Sequence, residues 1–191
     1  MAKKPRSAAK SAKKLTTQQG VDSAVWSICD VMRRGNVASA LQYVPELTWL
    51  LFLRILDEQE QREAIEARVL GHPFAASIAH PFRWADWARP IDAKAPPTDT
   101  NTRRELENAG VGKLLEFVNA KLIPHLKGLR DRPDAAPRQK VIAEILSGVE
   151  RVRIDTETNL KGVLDKVHEI SQKDIDPTHV FAIFTRSGWR T

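Results

Sequence analysis

The stretch that decides the fold spans residues 47–68 and reads LTWLLFLRILDEQEQREAIEAR. It is almost wholly apolar up to Leu56 and almost wholly polar after it, with no Gly or Pro to interrupt a helix. On a helical wheel the apolar half covers most of the circumference, which is typical of a core helix with neighbours on several sides. In the polar half, Glu58 and Arg62 stand four residues apart and can pair on an exposed surface. The stretch therefore predicts one helix, starting near Pro45, that is buried in its first half and projects into solvent in its second.

Size and composition place this stretch in a globular protein. The chain has 191 residues, of which 42% are hydrophobic and 28% are charged, enough for one sizeable domain with its own core. No apolar run approaches the roughly 20 residues that a membrane span needs, and the first residues lack the apolar segment of a secretory signal. The single cysteine, Cys29, is expected to fill a small space in the core. We therefore expect a cytoplasmic protein with no membrane partner.

The positive charge is concentrated at the start of the chain. There are 30 Lys and Arg against 24 Asp and Glu, and six of the basic residues precede the first acidic one, Asp22. Subtracting six from 30 leaves 24 basic residues against 24 acidic ones in the remainder. Residues 1–16 are predicted to be a basic flexible tail, which could contact DNA phosphates without reading sequence or could only aid solubility. The basic side chains of the tail are Lys3, Lys4, Arg6, Lys10, Lys13 and Lys14.

Outside the tail, apolar residues recur at helical spacing. A capping box formed by Thr102 with Glu105 predicts one helix start, and Pro124 predicts a kink in the helix of residues 113–129. A further helix is predicted from Pro137. Two amphipathic faces are formed by Val21, Ala24, Val25, Ile28 and Met32, before a stop at Gly35, and by Leu160, Val163, Leu164 and Val167. The predicted fold class is mainly α: an irregular helical bundle with a long Pro-rich connection and a disordered basic N-terminal tail.

The Pro-rich connection, residues 71–101, holds the densest aromatic cluster in the chain. Connections of this length inside a compact domain are often functional. Arg83, Trp84 and Arg89 could stack on bases or contact phosphates, and we predict that they bind DNA. The alternative is that Trp84 and Trp87, three residues apart, hold a short helical turn on the core.

Motifs that would carry chemistry are not found in the sequence. The GVG segment at residues 110–112 precedes a helix, but no strand leads into it and the third glycine of a dinucleotide fingerprint is missing. The histidines are scattered, without the spacing of a zinc site, and no Ser or Cys lies in a nucleophile elbow. We therefore expect no catalytic, cofactor-binding or metal-binding residue in this chain.

A succession of motifs resembles the start of the methyltransferase (M) subunit of type I restriction-modification systems. Residues 25–61, VWSICDVMRRGNVASALQYVPELTWLLFLRILDEQEQ, carry most of the resemblance, and FVNAKLIPHLKGL at 117–129 and VLDKVHEIS at 163–171 extend it. The matching positions are Trp26, Asp30, Arg33 and Gly35 in the first part, and Tyr43, Leu50, Phe52, Leu53, Arg54, Leu56 and Asp57 in the second. The resemblance covers roughly residues 17–180 and implies a helical N-terminal domain over residues 17–184.

The resemblance implies part of an enzyme that methylates the N6 of adenine with S-adenosylmethionine. Such subunits join a specificity subunit, a second M subunit and a restriction subunit on double-stranded DNA. The family's N-terminal domain is associated with closing the complex on DNA and sensing methylation. The cofactor loop and the Asn-Pro-Pro-Phe-type motif of the catalytic domain are not in this sequence, so the chain is predicted to be inactive alone.

Two further expectations concern the end of the chain and its role. Residues 185–191 do not look like the usual connection to a catalytic domain, and an excised domain, a truncated gene or a frameshift would each produce such an ending. The predicted function is a non-catalytic module that assists assembly with the specificity subunit and helps to hold DNA. The alternative is a helical protein-interaction adaptor without a DNA role.

Overall fold

The computed structural model describes residues 18–34, 40–92 and 101–170. These residues are mainly helical and form no strand within the described ranges, which confirms the predicted fold class. The basic tail and residues 171–191 lie outside the described ranges. The helices are α1 (Gln18–Arg34), α2 (Ala40–Leu70), α3 (Trp84–Trp87), α4 (Thr102–Ala109), α5 (Lys113–Phe117), α6 (Ile123–Lys127), α7 (Pro137–Leu146) and α8 (Glu157–His168).

Helix α1 packs its apolar face on α8, as its periodicity predicts. Ile28 and Met32 are fully buried, and burial raises the pKa of the Cys29 thiol to about 11, so Cys29 is an inert part of the core. The two helices approach closely at Gly162, where an added Cβ would lie 3.4 Å from Cγ1 of Val31. Trp26 lies off this face and is 38% exposed.

Helix α2 is the longest element of the fold, and its apolar half is buried as predicted. Trp49, Leu50 and Leu53 lie in the core. The predicted start near Pro45 is wrong, because the helix already begins at Ala40 and Pro45 lies inside it. Proline removes one backbone hydrogen bond at this point, and burial of the residues that follow outweighs that loss.

The helix predicted over residues 113–129 is continuous but irregular. Helix α5 widens into a π-helical segment, Val118–Leu122, continues as α6 and closes with a 3₁₀ turn, Gly128–Asp131. Pro124 has no N–H to donate to the preceding turn, and the π-helical segment lies directly before it. The prediction of a distortion at this proline therefore identified where the regular hydrogen bonding changes.

The remaining helix starts show one correct prediction and one error. Helix α7 begins at Pro137, as predicted. Helix α4 is not capped by Thr102: the N-cap residue is Asn101, whose Oδ1 accepts a hydrogen bond of 2.8 Å from the backbone N–H of Arg103. Thr102 is the first helical residue and is buried. Asn is as strong an N-cap residue as Thr, so local sequence does not decide between the two.

One core joins these elements. It contains the rings of Trp49, Trp84 and Trp87 together with aliphatic side chains from α1, α2, α8 and the helical stretch between Lys113 and Asp131. Within the described residues, no helix is both long and apolar enough to cross a membrane.

Candidate functional site

The first part of the Pro-rich connection is tied back onto the polar half of α2. Glu60 on α2 is buried, and its Oε1 accepts a hydrogen bond of 2.9 Å from the backbone N–H of Ser77. The Ser77 carbonyl in turn accepts one of 3.0 Å from the side chain of Gln139 on α7. Ile78 beside it is buried in the core. The connection is therefore positioned by α2 and α7 together.

An arginine on α7 completes this contact. Arg138 donates two hydrogen bonds to the carboxylate of Glu63, at 2.8 and 2.9 Å, and approaches Oε1 of Glu60 at 3.4 Å. These bonds from Arg138 hold the pKa of Glu63 below its ordinary value. The prediction that the whole polar half of α2 projects into solvent is therefore wrong, because one face of it is occupied by α7 and the connection. Glu58, which was expected to pair with Arg62, forms an ion pair with Arg54 at 3.7 Å.

Arg83, a predicted DNA contact, lies at the surface and is already paired. Its guanidinium donates to both carboxylate oxygens of Asp86, at 2.9 and 2.8 Å. Nδ1 of His80 lies 3.2 Å from the same carboxylate. Burial alone would raise the pKa of Asp86, but the hydrogen bonds from Arg83 and His80 outweigh burial and lower it. Arg83 is 44% exposed, so part of its guanidinium can still meet an anion.

Trp84 is placed where it cannot stack on a base. Its side chain is 1% exposed, and its Nε1–H donates a hydrogen bond of 3.1 Å to Nδ1 of His168 at the end of α8. Its ring packs edge-to-face on that of Trp87, with centroids 5.6 Å apart. The alternative prediction, a short helical turn held on the core by Trp84 and Trp87, describes the structure. The aromatic part of the predicted DNA site is corrected accordingly.

The hydrogen bond from Trp84 indicates which ring nitrogen of His168 carries the proton. Burial, together with the positive charges of Arg54 and Arg89, lowers the pKa of His168 to about 4. The ring is therefore neutral at pH 7, with its proton on Nε2, because Nδ1 accepts from Trp84. Arg89 is exposed near this ring and directly follows the turn that bears Trp84. Arg83 and Arg89 thus lie on either side of the short helix α3 that bears Trp84, whereas the tail lysines and Arg6 lie outside the described residues.

Sequence reasoning did not identify the buried arginine that fixes this turn. Arg103 on α4 donates to the Ala88 carbonyl at 2.9 Å, to Asp165 on α8 at 2.7 Å and to Glu107 at 2.9 Å. Only the spacing of Arg103 and Glu107, four residues apart, is visible in the sequence. The contact with Asp165, 62 residues away, is a property of the tertiary structure.

The GVG segment is occupied by the protein's own carboxylate. Gly110 and Gly112 have positive φ angles of 127° and 85°, and the N–H of Leu114, two residues after Gly112, donates to Oε2 of Glu157 at 3.1 Å. A phosphate at this helix start would meet the Glu157 carboxylate. Among the described residues, no group of three His, Cys, Asp or Glu side chains could hold a metal ion.

Comparisons with known proteins match this fold to one family. The family described as the HsdM N-terminal domain matches residues 21–167, well over half of the chain. The Type I restriction enzyme EcoEI methylase subunit of Escherichia coli is 30% identical over 162 residues, which cover 84% of this chain and 29% of that protein. This chain therefore spans about three tenths of the length of that curated relative.

Two solved structures share the fold. One is a modification subunit assigned to a type I restriction enzyme from Vibrio vulnificus YJ016, with a TM-score of 0.65 and 25% identity, covering 91% of this chain and 34% of that one. The other comes from a study of complex assembly and conformational transition of the type I R-M system, with a TM-score of 0.60 and 31% identity, covering 90% of this chain and 30% of that one. The chain belongs to the family of HsdM N-terminal domains.

Proposed function

We propose that the chain is a non-catalytic N-terminal module of a type I adenine-N6 DNA methyltransferase subunit and that it assists assembly with the specificity subunit. The observation that carries the proposal is the coverage of the structural matches. About nine tenths of this chain superposes on only about a third of each solved type I subunit. The module therefore corresponds to one part of a larger subunit, and we infer that its role in that subunit is assembly.

Within the part of the chain that the structure describes, this protein does not fit S-adenosylmethionine, the cofactor expected for the full-length family member. Its GVG segment is not preceded by a strand, and the amide that follows is bonded to Glu157. We assign the cofactor and the methyl transfer to the remainder of the subunit. Isothermal titration calorimetry of S-adenosylmethionine into the purified chain is expected to give no heat of binding, and micromolar affinity would overturn this assignment.

Assembly is tested with the proposed partners themselves. The purified chain is mixed with the specificity subunit encoded in the same system, and a stable complex is expected on size-exclusion chromatography. A second M subunit and the restriction subunit are further proposed partners, and their addition is expected to shift the complex to larger size. A chain that elutes alone in every mixture would contradict the proposal.

The DNA-holding role is a finer proposal within the same function. Arg83 and Arg89 are exposed on either side of the short helix α3 in the connection, and the tail supplies Lys3, Lys4, Arg6, Lys10, Lys13 and Lys14. Clamping of double-stranded DNA and sensing of its methylation would use such sequence-independent contacts. The affinity for a duplex is measured across a salt series for the full chain, a chain lacking residues 1–14 and an Arg83→Gln/Arg89→Gln variant. Each deletion of phosphate contacts is expected to reduce the salt slope.

A second function, a helical interaction adaptor without a DNA role, is favoured by one observation. Trp84 is buried and Arg83 is bonded to Asp86, so the turn offers fewer free groups to DNA than its sequence suggests. Equal and negligible DNA binding by the full chain and both variants would support the adaptor. We propose a cytoplasmic location for either function.

A further inference from the structure

The carboxylate of Asp86 has more hydrogen-bond donors around it than the guanidinium of Arg83 supplies. Its Oδ1 accepts a hydrogen bond of 2.8 Å from Nη2 of Arg83 and lies 3.2 Å from Nδ1 of His80. Its Oδ2 accepts from Nε of Arg83 at 2.9 Å and from the backbone N–H of Arg83 at 3.2 Å. Each carboxylate oxygen therefore has one donor that belongs to the guanidinium and one that does not.

The second donor on each oxygen allows the guanidinium to leave. The side chain of Asp86 is 10% exposed, and a buried carboxylate without donors would destabilise the fold. When the guanidinium leaves, His80 remains beside Oδ1 and the backbone N–H of Arg83 remains on Oδ2. The side chain of Arg83 is 44% exposed, so its guanidinium can turn to a ligand in solution without crossing the core.

The position of the pair in the fold also allows it to open. Asp86 follows Arg83 by three residues in one turn, so their separation moves no helix away from another. Two other arginines with carboxylate partners differ in this respect. Arg103 is 5% exposed and joins α4 to α8, and Arg138 joins α7 to α2. Of these three arginines, Arg83 is the one that can exchange its partner without loosening a contact between helices.

The charges around Arg83 keep its guanidinium at Asp86 when no ligand is bound. The hydrogen bonds to Asp86, together with the charges of Asp86, Asp57 and Glu60, raise the pKa of Arg83 above its ordinary value. Asp57 and Glu60 lie on α2 and accept their hydrogen bonds from other groups, so they attract Arg83 without bonding to it. A competing ligand must therefore carry several closely spaced negative charges, as the phosphates of a DNA duplex do.

We propose that the Arg83–Asp86 pair is an autoinhibitory contact that limits DNA binding by this chain. Asp86 withholds the guanidinium of Arg83, and the phosphates of a bound duplex displace the carboxylate. Arg83 contributes a phosphate contact only after this exchange, and the free energy of breaking the pair is subtracted from the free energy of binding. The inference deepens the DNA-holding role under the proposed function and rests on it.

The test is a double-mutant cycle of Asp86→Asn and Arg83→Gln in the full chain. The affinity for a fluorescently labelled DNA duplex of mixed sequence is measured by fluorescence anisotropy at low ionic strength. Asparagine keeps an oxygen for the backbone N–H of Arg83 and loses the charge. We expect Asp86→Asn to lower Kd about fivefold in the wild-type background and to leave Kd unchanged in the Arg83→Gln background.

The matched control for the change in net charge is Asp134→Asn. It replaces the same residue type at an exposed position between η2 and α7, away from α3 in the sequence. We expect this control to change Kd little in either background. Circular dichroism and urea titrations of each variant establish that it is folded before its affinity is compared.

Arg83→Lys tests the same contact without altering Asp86. Lysine keeps the positive charge and can contact a phosphate, but it cannot form the two parallel hydrogen bonds to the carboxylate. We expect Arg83→Lys to bind DNA at least as tightly as the wild-type chain and Arg83→Gln to bind more weakly. This variant decides the question if Asp86→Asn fails to fold.

The outcomes separate the inference from the role on which it rests. A gain of affinity that Asp86→Asn also produces in the Arg83→Gln background, or that Asp134→Asn matches, is a general effect of charge and overturns the autoinhibitory contact. A folded Asp86→Asn chain with the affinity of the wild type, or an Arg83→Lys chain that binds as weakly as Arg83→Gln, also overturns it and leaves the DNA-holding role standing. No DNA binding by the wild-type chain or any variant overturns that role, and the autoinhibitory contact with it.

Discussion

The Nε1–H of Trp84 donates a hydrogen bond to Nδ1 of His168, 84 residues later in the chain. This bond joins the short helix inside the connection to the end of α8. Arg54 on α2 reaches the same residue, because its Nε–H donates to the His168 carbonyl at 3.2 Å. The end of α8 is therefore the point at which α2, the connection and the C-terminal part of the described chain are held together.

The contribution of the Trp84 bond is predicted from a matched pair of substitutions. Trp84→Phe removes the donor to His168, whereas Trp87→Phe removes an Nε1–H that has no hydrogen-bond partner among the described residues. Both changes lose similar ring volume in the core. We expect Trp84→Phe to lower the free energy of unfolding by about 1 kcal/mol more than Trp87→Phe in urea titrations. Equal losses would show that the bond adds no net stability.

Glu46 makes the stability of the chain depend on pH near neutrality. Its side chain is 2% exposed, and burial raises its pKa to about 7. The hydrogen bond that its carboxylate accepts from the backbone N–H of Arg153 lowers the pKa, but by less than burial raises it. Between pH 4.5, the ordinary pKa of a glutamate, and about pH 7, Glu46 therefore holds a proton in the folded protein and releases it in the unfolded chain. The stability that this proton contributes is fully present below about pH 4.5 and is lost as the pH rises through about 7.

Glu46→Gln is expected to remove this dependence, because the amide oxygen can still accept from Arg153 and carries no charge. The free energy of unfolding of the wild-type chain should fall between pH 5 and pH 8 by about 2 kcal/mol relative to the variant. Glu150→Gln, at an exposed position, is the control and should follow the wild-type profile. Parallel profiles for the wild-type chain and Glu46→Gln would contradict the prediction.

Arg138→Met tests the contact between α7 and the polar half of α2. It leaves the buried Glu60 without its cation and removes both bonds to Glu63. We expect a loss of about 1 kcal/mol at pH 7, because the arginine is partly solvated. Since the pKa of Glu63 is lowered, this contribution should be present at neutral pH and disappear as the pH falls below the ordinary pKa of glutamate.

The control for Arg138 is Arg130→Met, which breaks an exposed pair with Asp131 at 3.6 Å. Exposed ion pairs of this kind contribute little to the free energy of unfolding, so Arg130→Met should leave the midpoint of chemical denaturation almost unchanged. If both variants lost the same stability, the contact between α7 and α2 would be no stronger than an ordinary surface pair.

A glycine in the turn before α5 gives a prediction about backbone conformation. Gly112 has a φ of 85°, which side chains rarely adopt, so Gly112→Ala is expected to cost about 1 to 2 kcal/mol although no atom lies within 4 Å of the added Cβ. Gly148→Ala has equal space without a positive φ and is expected to be neutral or slightly stabilising. Thermal denaturation of the two variants compares them directly, and equal midpoints would show that the turn relaxes without cost.

Much of the fold could be predicted, because the buried face of a helix is visible in the spacing of apolar residues within that helix. The spacing of Ile28 and Met32 identified the face of α1, and the apolar half of α2 was recognised as a core helix, since both patterns lie within a few turns of one element. The predicted start of α2 was wrong, because tertiary burial outweighs the local effect of Pro45 on the helix. The predicted N-cap residue of α4 was wrong by one position, because Asn101 and Thr102 have similar capping strength.

By itself, the sequence determined the helical class, the core helices and the family resemblance, all of which depend on periodicity and on short motifs. Only the tertiary structure decided the roles of the polar residues. Glu60 belongs to a charged run that looks like solvent-exposed surface, yet its partners Ser77 and Arg138 come from positions 17 and 78 residues away. Trp84 looked available to DNA, and its position in the core depends on α8 closing over it at His168. A polar or aromatic side chain can serve a surface or a buried contact equally well, and the choice is made by which distant groups the packed core brings beside it.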